Sequence, residues 1–251
     1  NKGVIIAPSS RKIPDLLNLC HEHQVEVLPA TPTFLRMMLF SGFVPNQIPN
    51  CIKIITYGTE KMDQHTLTEL CKLLPNIDFR QTFGMSELGI LRVKSKSRDS
   101  LFMKIGGEGI ETKVVEKVLY IRTKTPMLGY LNADSPFDKD DWYNTNDIVE
   151  TDGDFYKVVG RKTDVINVGG LKFMASEVEL IALNFPDIQL VKAYARSNPI
   201  TGQHVEIMVQ SSKNISIKNF KSFLKNKLPS HMLPKKIIIG KIEVNHRYKK
   251  S

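Results

Sequence analysis

The chain has 251 residues, 41% hydrophobic and 24% charged, a balance that excludes intrinsic disorder and gives length for two lobes. Its net charge of +9 is uneven, because residues 211–251 hold eleven Lys and Arg against Glu243 alone; such a segment attracts phosphate, nucleic acid or an anionic membrane, or serves only solubility. No apolar run reaches the roughly 20 residues of a membrane span, and a basic, apolar leader is not expected. The expectation is a cytoplasmic protein without a membrane span, and Cys20, Cys51 and Cys71, spread without a Cys-x-x-Cys pair, point to neither a disulfide frame nor a zinc site.

In chain order, residues 13–40 carry helical spacing in two stretches, interrupted by the apolar run Val25 to Leu28 and by Pro29 and Pro32. A helix, a buried strand and a second helix are expected there. CIKIITY at Cys51 to Tyr57 is a β-branched run ending at Gly58, Leu67 to Leu74 is helical, and Ile77 to Thr82 leads to Gly84. This alternation predicts parallel strands covered by helices. Between Leu101 and Val159 short alternating runs separated by turn residues predict a small antiparallel barrel or distorted sheet.

After Gly160 the pattern changes again. A hairpin is expected around Gly169-Gly170, then a helix opened by a Ser176/Glu179 capping box and ended by Pro186. Leu190 to Ala195 and Val205 to Val209 read as a strand pair around the Asn198 to Gly202 turn. Ile217, Phe220, Leu224 and Leu228 form one helix face, and Lys236 to Ile239 reads as a last strand. The fold class expected is α/β plus a β-barrel-like subdomain, followed by a small α+β domain. The boundaries are 1–160 for a large domain (1–95 α/β, 96–160 β subdomain) and 161–251 for the small one.

Three segments carry chemistry. In QTFGMSELG, Phe83 offers a flat face for a purine, Gly84 lets the backbone approach a ligand, Ser86 offers a hydroxyl to phosphate and Glu87 a hard oxygen to Mg2+; a structural turn before a helix explains the segment equally well. In DWYNTND, Asp147 can accept both hydroxyls of a ribose, as in dinucleotide sites, or stand as a solvated loop group. In GRKTDVINVGGLKF, Arg161 can bind ribose or phosphate, Gly169 and Gly170 form a tight turn beside which a narrow ligand can run, and Lys172 adds charge. A linker and hairpin account for the glycines but not for the order of the three clusters.

That order resembles the adenylate-forming superfamily of acyl-CoA synthetases, adenylation domains and luciferases, in its carboxy-terminal half. FGMSE, MLGYL, TND, GRKTDVINVGG and NHRYKK stand where its members carry their motifs, and YGTEKM at Tyr57 to Met62 looks most like bacterial AMP-forming acyl-CoA synthetases. The resemblance implies that Gly58, Thr59, Glu60, Phe83 and Gly84 line the nucleotide and acyl-phosphate region, that Ser86 touches the α-phosphate and that Glu87 holds Mg2+. It further implies that Asp147 binds the ribose hydroxyls, Arg161 supports them, and Thr163 is a hinge. Gly169, Gly170 and Lys172 would meet coenzyme A, and Lys249 would be the catalytic lysine, with Lys250 and Arg247 as substitutes. Pro32, Thr33, Phe34 and Met37 border the acyl pocket in this reading.

The implied activity is an AMP-forming acid:CoA ligase using ATP, Mg2+ and coenzyme A on a small-molecule carboxylate. A carrier-protein phosphopantetheine is the alternative acceptor, a silent nucleotide-binding module a rival of another class, and no nucleic-acid partner is expected. Three departures stand out: Asn146 replaces Gly, Phe83 lacks a hydroxyl, and no Ser/Thr/Gly-rich loop ending in Lys-Gly occurs. Asn tolerates positive φ. The missing loop implies a chain inactive alone, either cut from a longer protein or completed by a partner that supplies the N-terminal half of the enzyme.

Overall fold

The computed structural model describes residues 3–243, which form two compact units that do not simply follow chain order. Residues to Glu111, with Thr123–Asp134 and Thr151–Lys157, make the first; Thr112–Arg122, Ser135–Glu150 and the chain from Val158 onward make the second.

In the first unit, helices α1 (Ile13–Glu22), α2 (Pro32–Phe40) and α3 (Gln64–Leu73) alternate with strands β1 (Val27–Ala30), β2 (Ile54–Tyr57) and β3 (Asp78–Gln81). The strands pair in parallel in the order β1-β2-β3, with Val27, Ile54 and Asp78 in register, as the alternation of elements predicts. The starts of α2 and α3 have a sequence cause. Thr31 accepts from the Phe34 N–H at 3.1 Å with Pro32 following as the first helical residue, and Asp63 accepts from the Thr66 N–H at 2.8 Å. Helix α1 buries Ile13, Leu17 and Cys20, one side of the 3.6-residue period, and α3 buries Leu67, Leu70 and Cys71. A hairpin of β4 (Phe83–Met85) and β5 (Gly89–Leu91) follows, then β6 (Val93–Ser95) antiparallel to β7 (Met103–Ile105).

Strands β8 (Ile110–Val115), β9 (Val118–Thr123), β10 (Tyr143–Asp152) and β11 (Phe155–Arg161) complete the region expected to be antiparallel. Within the first unit β11 pairs with β7 through Tyr156 and Met103. Within the second, β10 pairs antiparallel with β9.

The second unit continues through a single 3-10 turn at Lys162–Asp164 into the hairpin β12 (Val165–Val168) and β13 (Leu171–Met174), helix α4 (Ala175–Leu183), the long strands β14 (Ile188–Asn198) and β15 (Gly202–Ser211), helix α5 (Ile217–Lys227), a 3-10 turn at Ser230–Met232 and β16 (Lys236–Ile239). Alternation along β14 and β15 places Val191, Ala193, Val205, Ile207 and Val209 in the core with Val178 and Ala182 of α4 and Phe220 and Leu224 of α5. The opposite face carries Tyr194, Arg196, His204 and Glu206, paired across the strands. The start of α4 differs from the sequence expectation. It begins at Ala175, where Glu177 accepts from the Met174 N–H at 2.8 Å, while Ser176 donates to the Val159 carbonyl and Glu179 accepts from the Ala193 N–H. Met174 ends β13 in an extended conformation, so the chain turns helical one residue before Ser176 can cap it. Among the described residues no helix is long and apolar enough to cross a membrane, which says nothing of strand-built barrels.

Candidate functional site

Asp147 is the most constrained of the polar candidates. It lies on β10 with only 6% of its surface exposed. Its carboxylate accepts from Arg161 Nε at 3.3 Å, and the Arg161 side chain, reached along β11, is itself largely exposed. Burial pushes the Asp147 carboxyl above its ordinary value; the Arg161 guanidinium opposes this, and Asp164 adds to it. A largely desolvated acceptor beside an exposed cation is suited to a ligand that brings hydroxyl donors, since each new donor repays part of the burial cost. The preceding residue, Asn146, sits at φ 57°. The replacement of Gly by Asn therefore leaves the left-handed turn intact.

The segment from Tyr57 to Glu87 gathers its candidates in the first unit. Gly58 follows β2 so closely beside Thr82 that a Cβ would fall 2.7 Å from the Thr82 carbonyl oxygen and nearer still to its hydroxyl. Gly84 has the same constraint against Gly89, whose carbonyl oxygen would lie 2.7 Å from a Cβ. Two close backbone approaches thus explain both glycines without a ligand. Thr59 is exposed at φ 68°. Glu60 accepts from the Thr33 N–H at 3.2 Å, which sets a carboxylate on the positive end of α2. Phe83 is half-buried, Ser86 is exposed in the turn between β4 and β5, and the Glu87 carboxylate meets the Tyr130 hydroxyl while the Glu87 carbonyl accepts from the Met127 N–H at 2.9 Å. The MLGYL segment thereby touches the FGMSE segment, a contact that motif order alone does not show.

At the carboxyl ends of β2 and β3, the buried Tyr57 hydroxyl and Gln81 Oε1 have no hydrogen-bond partner among the described residues, and the two residues are neighbours in register. Burial drives the Tyr57 phenol well above its ordinary value, and the nearby Cys71 thiol adds to this. Among the described residues no group of three or more His, Cys, Asp or Glu could hold a metal by itself. A single carboxylate such as Glu87 still fits Mg2+, which takes one or two protein oxygens with the rest from phosphate and water.

In the second unit Gly169 and Gly170 stand at φ 60° and 90° at the tip of the β12–β13 hairpin, where two successive positive φ angles define the turn. The Gly169 N–H is held by the Thr201 carbonyl at 2.9 Å, and Lys172 is exposed opposite Asn167. Thr163 lies in the short 3-10 turn and donates to Asp164 at 3.2 Å. Lys249, Lys250 and Arg247 lie outside the described residues.

Comparison with known proteins bears on the family of the chain. The family model described as AMP-binding enzyme matches residues 2–131, more than half of the chain. An acyl-CoA ligase of Aspergillus niger, azaF, is 28% identical over 201 residues, covering 70% of this chain and 38% of that protein. An L-proline–[L-prolyl-carrier protein] ligase of Pseudomonas fluorescens is 21% identical over 261 residues, covering 93% of this chain and 49% of that protein. The structure of the anthranilate CoA ligase AuaEII in complex with anthranoyl-AMP is similar in fold, with a TM-score of 0.79 at 16% identity, over 95% of this chain and 51% of that one. The chain therefore spans about half the length of the proteins it matches, or less. On the extent of the family match, this chain belongs to the AMP-binding enzyme family.

Proposed function

We propose that the chain is part of an AMP-forming acid:CoA ligase, which activates a carboxylate as its acyl-adenylate and passes the acyl group to coenzyme A. The observation that supports this most is Asp147, a buried carboxylate on a left-handed bulge with Arg161 on it. In this reading Asp147 accepts from the two ribose hydroxyls of the nucleotide and Arg161 supports the ribose side. Gly58, Thr59, Glu60, Phe83 and Gly84 contribute to the adenine and acyl-phosphate region, and Ser86 gives a hydroxyl to the α-phosphate. Glu87 supplies the protein oxygen for Mg2+, which screens phosphate charge when bound.

The chemistry has two steps. A substrate carboxylate oxygen attacks the α-phosphorus of ATP and pyrophosphate leaves; the acceptor thiolate then attacks the acyl carbonyl and AMP leaves. Both transition states gather negative charge, so the chain's task is to place donors and cations, with Lys249 as the residue that neutralises charge at the phosphate. Gly169, Gly170 and Lys172 would border the thiol's path, and Thr163 would be the hinge between the two half-reactions. The acid is a small-molecule carboxylate whose pocket Pro32, Thr33, Phe34 and Met37 border.

A second reading, transfer to a carrier-protein phosphopantetheine, is supported by the carrier-protein ligase among the relatives. Thioester formation with free CoA against a holo carrier separates the two. For the nucleotide site itself, the test is titration with a non-hydrolysable acyl-adenylate analogue. The expected result is saturable binding that weakens about tenfold or more in Asp147→Ala, the size of one or two hydrogen bonds to a charged group. Equal binding by the variant would remove the basis of the proposal.

A further inference from the structure

The bulge that carries Asp147 is built by side chains. The β9–β10 ladder pairs Asn144 with Tyr120 and resumes at Ile148 with Val118, so β10 advances four residues while β9 moves two. The N–H groups of Asn146 and Asp147 therefore lie where the regular ladder has been broken, and at Asp147, which is buried, an N–H left without a partner is destabilising. Side chains supply the partners. Asn144 Oδ1 accepts from the Asn146 N–H at 2.9 Å; Thr145 Oγ1 accepts from the Asp147 N–H at 3.0 Å and donates to the Leu119 carbonyl at 2.7 Å. The Asn144 amide in turn donates to the Tyr120 hydroxyl at 3.1 Å. Around Tyr120, Lys113 lies 5.6 Å from its ring and 4.1 Å from the Trp142 ring, and Arg122 lies 4.9 Å from Trp142.

We propose that Thr145 and Asn144 are positioning residues that fix the backbone of Asn146 and Asp147 so that the Asp147 carboxylate meets the ribose hydroxyls, with Tyr120 holding the Asn144 amide in place. This inference rests on the reading of Asp147 as the ribose ligand. A hydroxyl is the one group of this size that can accept from Asp147 and donate to Leu119 at once. Valine fills the same volume but leaves both backbone groups unpaired, whereas serine keeps both bonds.

The test compares binding of AMP and of 2′,3′-dideoxy-AMP by the chain and its variants. The wild type is expected to prefer AMP about tenfold or more. Thr145→Val is expected to lose most of that preference, Thr145→Ser to retain it, and Asn144→Ala to reduce it. A merely structural role would weaken both nucleotides alike and leave their ratio unchanged, and that result in Thr145→Val overturns the inference. Should Thr145→Val not fold, the ratio in Asn144→Ala decides in the same way. A wild type that binds neither nucleotide, or shows no preference, overturns the reading of Asp147 and the inference with it. A preference lost in Asp147→Ala but kept in Thr145→Val and Asn144→Ala overturns the inference alone.

Discussion

Burial and Arg161 pull the Asp147 carboxyl in opposite directions, and burial prevails, so its folded pKa lies above the unfolded value. The sign of the linkage follows: as pH falls through the folded pKa, the native state takes up its proton before the unfolded state does, and stability from this group rises. Asp147→Asn is therefore expected to melt higher than the wild type at neutral pH, with the difference closing once pH drops below the ordinary carboxylate range. Thermal melts across that range check it; a reversed difference would mean that Arg161 outweighs burial, and a constant one that the carboxyl titrates alike in the folded and unfolded chain. Some of this was legible in sequence. TND drew attention to Asp147, and Asn at 146 implied the positive φ that the bulge adopts. The support from Thr145 was not legible, because its bond goes to a carbonyl 26 positions earlier, on a strand whose register no local pattern fixes.

Charged side chains set within apolar packing decide how the helices of the first unit are held. Arg36 of α2 is buried against Asp63, the residue that also caps α3, and its Nε donates to Thr66 at 3.3 Å. Removing one partner of such a pair strands a buried charge, so Arg36→Met is expected to cost about 3–5 kcal/mol. The double variant Arg36→Met/Asp63→Asn should cost less, because the Asn keeps the cap; denaturant midpoints measure both. At the other end of α3, Arg98 donates to the carbonyls of Cys71, Leu74 and Ile77 and lies over the Phe79 ring. Arg98→Ala is expected to lose about 2–4 kcal/mol and Arg98→Lys to recover little of it, since one ammonium cannot span three carbonyls in a plane. The helix and strand order was readable from apolar periodicity and turn residues. The start of α4 was not, because its cap was decided by where β13 ends and not by the Ser-x-x-Glu pattern.

At the scale of the molecule, family membership was readable from the order of five short segments, none of which carries it alone, and the family match agrees. The sequence pattern placed a boundary near residue 160, whereas the compact units also group Thr112–Arg122 and Ser135–Glu150 with the later chain. Local texture does not reveal the pairing of Thr112–Arg122 with Ser135–Glu150, because β9 and β10 meet across a long intervening segment. The isolated chain has no Ser/Thr/Gly-rich loop ending in Lys-Gly, the kind of backbone cradle that holds phosphates, so it is expected to show no acid-dependent pyrophosphate release. Robust turnover would contradict that expectation. The most direct test of the central claim is a crystal structure of the chain with a non-hydrolysable acyl-adenylate analogue. The ribose hydroxyls are expected within hydrogen-bond distance of the Asp147 carboxylate; an ordered analogue bound away from Asp147 would rule out its role as the ribose ligand.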